Sequence, residues 1–346
     1  MKIILDAMGG DHAPQATVLG AAQAAKEFGS QVVLVGREEE ILRTFRDNGM
    51  ETLPQGISVV HAEEVVDMHD DPARVIQKKK NASMVVGLKM LAEGQGDAFI
   101  SAGSTGALLT GATLLVKRVK GIRRAAMGPA MPNKAGGKTV LLDCGANAEC
   151  TPEFLLQFGI VGSLYAKKTL GISEPRVGLL NIGSEDSKGT PLQKEAYKLL
   201  QEAQEQGLIR FIGNVEGREV LLGEVDVVVC DGFSGNVLLK TIEGTAYFMG
   251  SLMKHKIFKR SFLSKIGYLF CKKGVDEVMK MMDYREIGGT EFLGIRKPVI
   301  KAHGASDALA FRNAIRQAEQ AASRDLSGEL EEGLKLLAET KETEHD

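Results

Sequence analysis

The sequence predicts a doubly wound α/β protein, and three patterns predict it. Short β-branched runs recur along the chain, several of them apolar almost throughout, as strands covered on both faces must be. Each ends in a glycine-rich turn. Each turn is followed by a helix-length stretch with apolar residues near 3.6 spacing, the rhythm of βαβ units.

In chain order the expected strands are Lys2–Asp6, Gln31–Val35, Ile57–His61, Asp97–Ile100, Thr139–Asp143, Arg176–Asn181, Arg210–Ile212, Val225–Cys230 and Val299–Ala302. Helix starts are marked at Asp71-Pro72, Thr151-Pro152 and Thr190-Pro191, where a capping side chain precedes a proline at the first helical position. No period of 20–50 residues repeats, which excludes a solenoid. We expect one domain over residues 1–326, carrying a basic amphipathic helical segment at about 250–285, and a charged C-terminal tail over 327–346. The tail is rich in Glu and Lys and should form a surface helix that frays.

Composition narrows the function classes. With 346 residues, 44% hydrophobic and 25% charged, the chain is of average globular make-up and needs no staples. Cys144, Cys150, Cys230 and Cys271 are too few and too widely spaced for a disulfide framework or a C-x-x-C site, so reduced thiols are expected. The N-terminus reaches Asp6 before a signal peptide's apolar region could form, and no window is apolar for the ~20 residues of a membrane span. A net charge of -2 argues against bulk attraction to nucleic acid.

In a doubly wound sheet ligands bind beyond the carboxyl ends of the strands, so the turns after strands are the places to look. Six are unusually polar and glycine-rich: Ala7–His12, Ser101–Gly106, Cys144–Asn147, Gly183–Thr190, Asp231–Asn236 and His303–Asp307. Glycines there let backbone N–H groups converge, and a following helix adds partial positive charge, which suits an anion such as phosphate. The same residue types also serve simply to turn a corner and cap a helix. Six such turns, expected at one sheet edge, favour the site.

The chain carries no G-x-G-x-x-G after a strand, no P-loop, no H-E-x-x-H and no G-x-S-x-G, and no compact Asp/Glu cluster suited to a divalent ion. Neither a cofactor nor a metal is expected. Lys188 stands in a loop where a lysine can bind phosphate oxygens as a point charge, or pair with Glu185 or Asp186 in solvent. His12 and His303 each follow a strand and precede a helix, as proton carriers or as turn residues.

Taken in order, the turns Asp6-Ala7-Met8-Gly9-Gly10-Asp11-His12, Ser101-Ala102-Gly103-Ser104-Thr105-Gly106, Asp143-Cys144-Gly145-Ala146-Asn147, Asn181-Ile182-Gly183-Ser184-Glu185, Asp231-Gly232-Phe233-Ser234-Gly235-Asn236 and His303-Gly304-Ala305-Ser306-Asp307 resemble the signature turns of the bacterial phosphate acyltransferase family. The resemblance runs from Lys2 to about Arg324. It implies an α/β/α sandwich akin to isopropylmalate dehydrogenase and phosphotransacetylase, a homodimer, and reversible conversion of acyl carrier protein thioesters and inorganic phosphate into acyl phosphate. It also implies that the product feeds a membrane acyltransferase that acylates glycerol 3-phosphate. Lys188 and Asn236 match the positions proposed as catalytic in that family.

Because phosphate is itself the nucleophile, the protein need only hold it and the thioester carbonyl in attack geometry. We expect Gly103, Ser104, Thr105 and Gly106, the Gly183–Gly189 turn with Ser184, and Lys188 to bind phosphate. Asn236 should donate to the developing oxyanion, with Asn147, Gly235 and His303 as further substrate contacts. Cys144 and Cys230 lie near these turns, but a cysteine at a strand end is usually a small buried hydrophobe.

Between Ser251 and Lys273 seven basic residues interleave with apolar ones, and Phe258, Phe262, Ile266 and Phe270 recur at intervals of four along one helical stripe. Packing on the domain or on a dimer mate, contact with an anionic membrane surface, and docking of acidic acyl carrier protein compete for this stripe. Phe258, Lys259, Phe262 and Ile266 are the contact candidates, and a cytosolic protein with reversible association at the inner face of the membrane is expected. The alternatives in function are an acyl-CoA-dependent phosphate acyltransferase and a non-catalytic carrier-protein or lipid-binding scaffold.

Overall fold

The computed structural model describes residues 1–258, 261–281, 283–324 and 326–343. The first run of elements is β1 (Lys2–Asp6), α1 (Gln15–Phe28), β2 (Gln31–Gly36), α2 (Glu38–Asp47), β3 (Ile57–His61), α3 (Pro72–Lys78), α4 (Ser83–Ala92), β4 (Ala98–Ser101), α5 (Thr105–Gly111) and β5 (Ala126–Met127). A second run is β6 (Ala130–Pro132), β7 (Lys138–Leu142), α6 (Pro152–Leu170), β8 (Arg176–Asn181), α7 (Pro191–Glu205), β9 (Arg210–Glu216), β10 (Val227–Val229), α8 (Gly232–Leu252), α9 (Phe262–Met281) and α10 (Tyr284–Ile287). The chain then returns through β11 (Gly289–Leu293), β12 (Val299–Ala302), α11 (Ala308–Ala322) and α12 (Leu326–Thr343).

These strands form two sheets, not one. A seven-stranded sheet has the order β3-β2-β1-β4-β12-β11-β5, and a five-stranded sheet the order β6-β7-β10-β8-β9. The expectation of a single sheet edge is thereby corrected: the chain leaves the first sheet at β5 and enters the second at β6 a few residues later. The turns after β1, β4 and β12 thus belong to one sheet, and those after β7, β8 and β10 to the other.

Burial explains why the apolar runs became strands. Ile3, Ile4 and Leu5 of β1 and Val227, Val228 and Val229 of β10 are fully withdrawn from water, with helices on both faces. The marked helix starts all hold: α3, α6 and α7 begin at Pro72, Pro152 and Pro191, and the Asp71 carboxylate accepts the Ala73 N–H at 2.9 Å. The first half of α12 is anchored, because Leu330 and Leu334 are buried in the core around α6 and Lys168 pairs with Glu329 at 2.7 Å.

Candidate functional site

The turns of the larger sheet are bonded into one floor. Asp6, the last residue of β1, is buried, and its carboxylate accepts the Ser101 hydroxyl at 2.7 Å and the Met8 N–H at 3.2 Å. Burial pushes this carboxyl above its usual range, against the pull of those hydrogen bonds. Gly9 fits into the gap they leave, since a Cβ there would lie 2.9 Å from the Gly103 nitrogen. Asp11 N–H donates to the Gly304 carbonyl at 2.8 Å, which joins the turn after β12 to the turn after β1.

The turns of the smaller sheet are organised by another buried carboxylate. Asp143 accepts the Asn147 N–H at 2.6 Å, the Asn147 side-chain amide at 3.0 Å and, across the join between the sheets, the Met127 N–H of β5 at 2.8 Å. Burial pushes this carboxyl up as well, with the same hydrogen bonds opposing. Gly232 N–H donates to the Asn147 carbonyl at 2.8 Å, and Asp231 caps α8 through the Ser234 N–H at 2.8 Å. Asn236 therefore sits in the first turns of α8, held at a defined height above the sheet. Among the described residues nothing hydrogen-bonds its side-chain amide, which is exposed to the cavity.

Between the two sheets lies a cavity of about 1100 Å³, whose lining includes Gly9, Gly10, Gly103, Asn236, Lys301 and His303. Met8, Met131, Leu221, Leu239, Ile242 and Met281 add apolar surface to the lining, beside charged side chains that include Arg37, Glu64 and Lys79. The volume lies just above the usual range for a small-molecule site, roughly 300–1,000 Å³. Burial drives the Lys301 ammonium down to about 8, and Lys240 adds to that while Asp11 and Asp6 resist it. The His303 imidazole is lowered by burial and then by Lys240, and its Nδ1 accepts the Ala305 N–H at 3.2 Å. Lys240 lies four residues after Asn236, on the same face of α8, and its ammonium meets Glu243 at 2.7 Å.

Of the site residues expected from sequence, Gly103, Thr105, Asn236 and His303 line this cavity. Ser104 and Gly106 belong to the same turn but face away: Ser104 caps α5 through the Ala107 N–H at 3.5 Å, and Gly106 lies against Pro72. Asn147 spends its side-chain amide on Asp143 and on the Ala125 carbonyl at 2.8 Å, and Gly235 is buried on the inner face of α8 against Asp143 and Cys230. Ser184 and Lys188 stand on the exposed turn after β8, with Lys188 Nζ 4.0 Å from Glu185, and neither lines the cavity. His12 is exposed.

Of the amphipathic stripe, Phe262 and Phe270 are 77% and 86% exposed, Ile266 is exposed too, and Phe258 packs on Tyr268 at 4.7 Å between ring centres. No residue of α9 is buried, so this chain's own core does not cover the stripe. Lys259 lies outside the described residues.

Cys144 and Cys230 are buried and point at carbonyls, Cys144 to Leu141 at 3.6 Å and Cys230 to Asp143 at 3.3 Å. Burial first, then the Asp143 charge for Cys144 and mainly that of Cys144 for Cys230, pushes both thiols far up, away from the nucleophilic thiolate. Replacing both by serine, which keeps a donor for each carbonyl, is expected to leave turnover within about threefold of native, because neither group lines the cavity. A loss of two orders of magnitude in a folded double variant would instead require an acyl-cysteine.

Lys301 and Lys240 were not singled out by motif. The available signals were a lysine interrupting the apolar run Val299–Ala302, and a lysine one helical turn beyond Asn236.

The family model described as fatty acid synthesis protein matches residues 1–328. The phosphate acyltransferase of Thermoanaerobacterium thermosaccharolyticum is 43% identical over 339 residues, covering 98% of each chain. That of Alkaliphilus oremlandii is 46% identical over 343 residues, covering 98% of this chain and 99% of its own. Among solved structures, a phosphotransacetylase from Streptococcus pyogenes superposes with a TM-score of 0.64 at 18% identity, covering 94% of each chain, which establishes a shared α/β/α fold.

Proposed function

The chain belongs to the phosphate acyltransferase family, and we propose that it transfers a long-chain acyl group from a thioester on acyl carrier protein to inorganic phosphate. It is an enzyme of fatty acid and phospholipid synthesis. The observation that carries the finer reading is one cavity lined both by the glycine turns with Asn236 and Lys301 and by the apolar side chains of Met8, Met131, Leu221, Leu239 and Ile242. A phosphate fits the first and an alkyl chain the second, each buried CH₂ contributing about 0.8 kcal/mol.

In this reading a phosphate oxygen attacks the thioester carbonyl carbon, the C–S bond breaks, and the thiolate departs and takes up a proton. Asn236 donates to the oxygen on which negative charge develops. The N–H groups of the turns after β1, β4 and β12 surround the phosphate. Lys188, on the turn after β8, the strand beside β10, is the loop-borne cation of the proposal. The test is incubation of the purified protein with long-chain acyl carrier protein, with and without phosphate, followed by thiol titration and mass analysis of the product. Thiol released only with phosphate, together with an acyl phosphate, supports the reading; binding without release leaves a scaffold. Offering acyl-CoA in parallel identifies the donor.

We further propose that the chain works as a homodimer associated peripherally with the membrane, where the glycerol 3-phosphate acyltransferase consumes its product. No helix among the described residues is long and apolar enough to cross a bilayer. What supports surface contact is α9, with Phe262, Leu263, Leu269 and Phe270 all at least 70% exposed beside Lys265, Lys272 and Lys273. Basic residues near anionic lipid contribute ~1 kcal/mol each. Vesicles of anionic phospholipid are expected to pellet the native protein and to release a Phe258→Glu plus Phe262→Glu variant. Native protein that stays in the supernatant would return the stripe to a protein partner.

A further inference from the structure

We propose that Lys301 is the fixed cation that binds the phosphate acceptor, an assignment that rests on the reaction proposed above. Lys301 is on β12, in the middle of the larger sheet, where it pairs in register with Ser101 of β4 and Thr290 of β11. Register partners project on the same face of a sheet, so the ammonium stands in a polar row with Thr290, Ser101 and, through the Ser101 hydroxyl, Asp6. Thr290 and Lys301 both line the cavity. A side chain carried by a central strand is positioned far more narrowly than one carried by a loop.

An ammonium has three donors. Lys301 Nζ reaches the Ala302 carbonyl and, at 3.4 Å, the Ala102 carbonyl. Among the described residues no carboxylate lies within 4.0 Å of it, whereas Lys188 has Glu185 and Lys240 has Glu243. A charge partly withdrawn from water is costly until a counter-charge joins it. The groups facing it from neighbouring elements are Asp6 and Asp11 beyond contact distance, Lys240 from α8, and His303 two residues along. Around it converge the turns holding Gly10, Gly103 and Gly304, with Asp11 drawn into a backbone bond to the last. A small polyanion with several acceptor oxygens completes this arrangement; a thioester carbonyl, with one, does not.

The charge state gives the assignment its signature. The ammonium persists below about pH 8 and is lost above it, so phosphate affinity should weaken as pH rises through that value. Lys301→Arg, whose guanidinium stays charged, should retain phosphate affinity at alkaline pH.

The test compares the full-length native chain, Lys301→Met, Lys301→Arg and Lys188→Ala, with long-chain acyl carrier protein as donor and inorganic phosphate varied. Lys301→Met is expected to raise the phosphate KM by roughly 10- to 100-fold, as for loss of a charge-assisted hydrogen bond, with the donor KM little changed. A folded Lys301→Met with native phosphate KM overturns the assignment. Should that variant not fold, calorimetry of inorganic phosphate binding decides. Affinity of the native chain that falls between pH 7 and pH 9.5, while that of Lys301→Arg holds, supports the role; affinities that run parallel overturn it. If the native chain releases no thiol with phosphate, the proposed reaction itself fails, a result separate from a native enzyme indifferent to substitution of Lys301.

Discussion

Asn236→Ala is expected to lower turnover by about a hundredfold or more while leaving the KM for phosphate near its native value. Removing one donor to a developing oxyanion costs typically ~2.7–4 kcal/mol of barrier, and the side-chain amide of Asn236 is placed for that role. It projects from the first turns of α8 into the cavity, and no described residue consumes its donors. Its backbone is held from below by the Asp231 cap and by the contact of Gly232 with Asn147, so the amide is positioned before substrate arrives. Because the side chain is exposed and lacks a partner, its removal should leave the melting temperature unchanged. The measurement is phosphate-dependent thiol release at saturating donor, beside a thermal melt. Turnover within a few-fold of native in the folded variant would remove Asn236 from the chemistry and leave the backbone amides of the turns to carry the oxyanion.

Much of the fold was legible because its parallel strands announce themselves. All nine strands expected from apolar runs exist, with ends shifted by a few residues at most in eight of them; β9 extends further, to Glu216. The three that escaped are β5, β6 and β11. Each pairs antiparallel with a neighbour, and none is followed by a turn and helix in the βαβ rhythm. β5 spans only Ala126–Met127 and β6 only Ala130–Pro132, too short for any alternation to register. These strands carry the chain from one sheet to the other, so missing them merged two sheets into one edge.

The site was legible to a similar degree and for a related reason. Glycine, serine and asparagine at strand ends mark where a turn must be tight, but not which side of the turn faces the ligand. Gly103 and Thr105 face the cavity while Ser104, between them, caps a helix. Lys188 sits in a polar loop outside the cavity, whose lining cations are Arg37 and Lys79 at helix ends and Lys301 and Lys240 on a strand and a helix. There lysine reads as ordinary surface charge until the neighbouring elements are in place.

Gly235→Ala should be the most damaging glycine-to-alanine change in α8, and its effect divides cleanly from that of Gly244→Ala on the same helix. In a helix interior alanine is favoured over glycine by roughly 1 kcal/mol, so propensity alone predicts stabilisation at both positions. At Gly244 a Cβ meets nothing within 4 Å, and the gain should appear undiminished. At Gly235 the added Cβ would overlap the Asp143 carbonyl oxygen and lie 2.7 Å from Cys230 Sγ. Neither obstacle is the loose end of a side chain. The first is backbone fixed by the Asp143 hydrogen bonds that tie the two sheets, and the second is a buried group at the end of the strand leading into α8.

Relief therefore requires α8 to lift as a body, and overpacking of this kind costs typically 1–3 kcal/mol, more where backbone must move. The cost outweighs the propensity gain, so the melting temperature should fall for Gly235→Ala and rise slightly for Gly244→Ala. Asn236 is the next residue and Lys240 follows one turn later, so lifting α8 withdraws both from the cavity. Turnover should drop at least tenfold even in the fraction that remains folded, since an ångström of misplacement can cost about a hundredfold. A Gly235→Ala protein with native melting temperature and native turnover would show that α8 does not need this contact to set the height of Asn236.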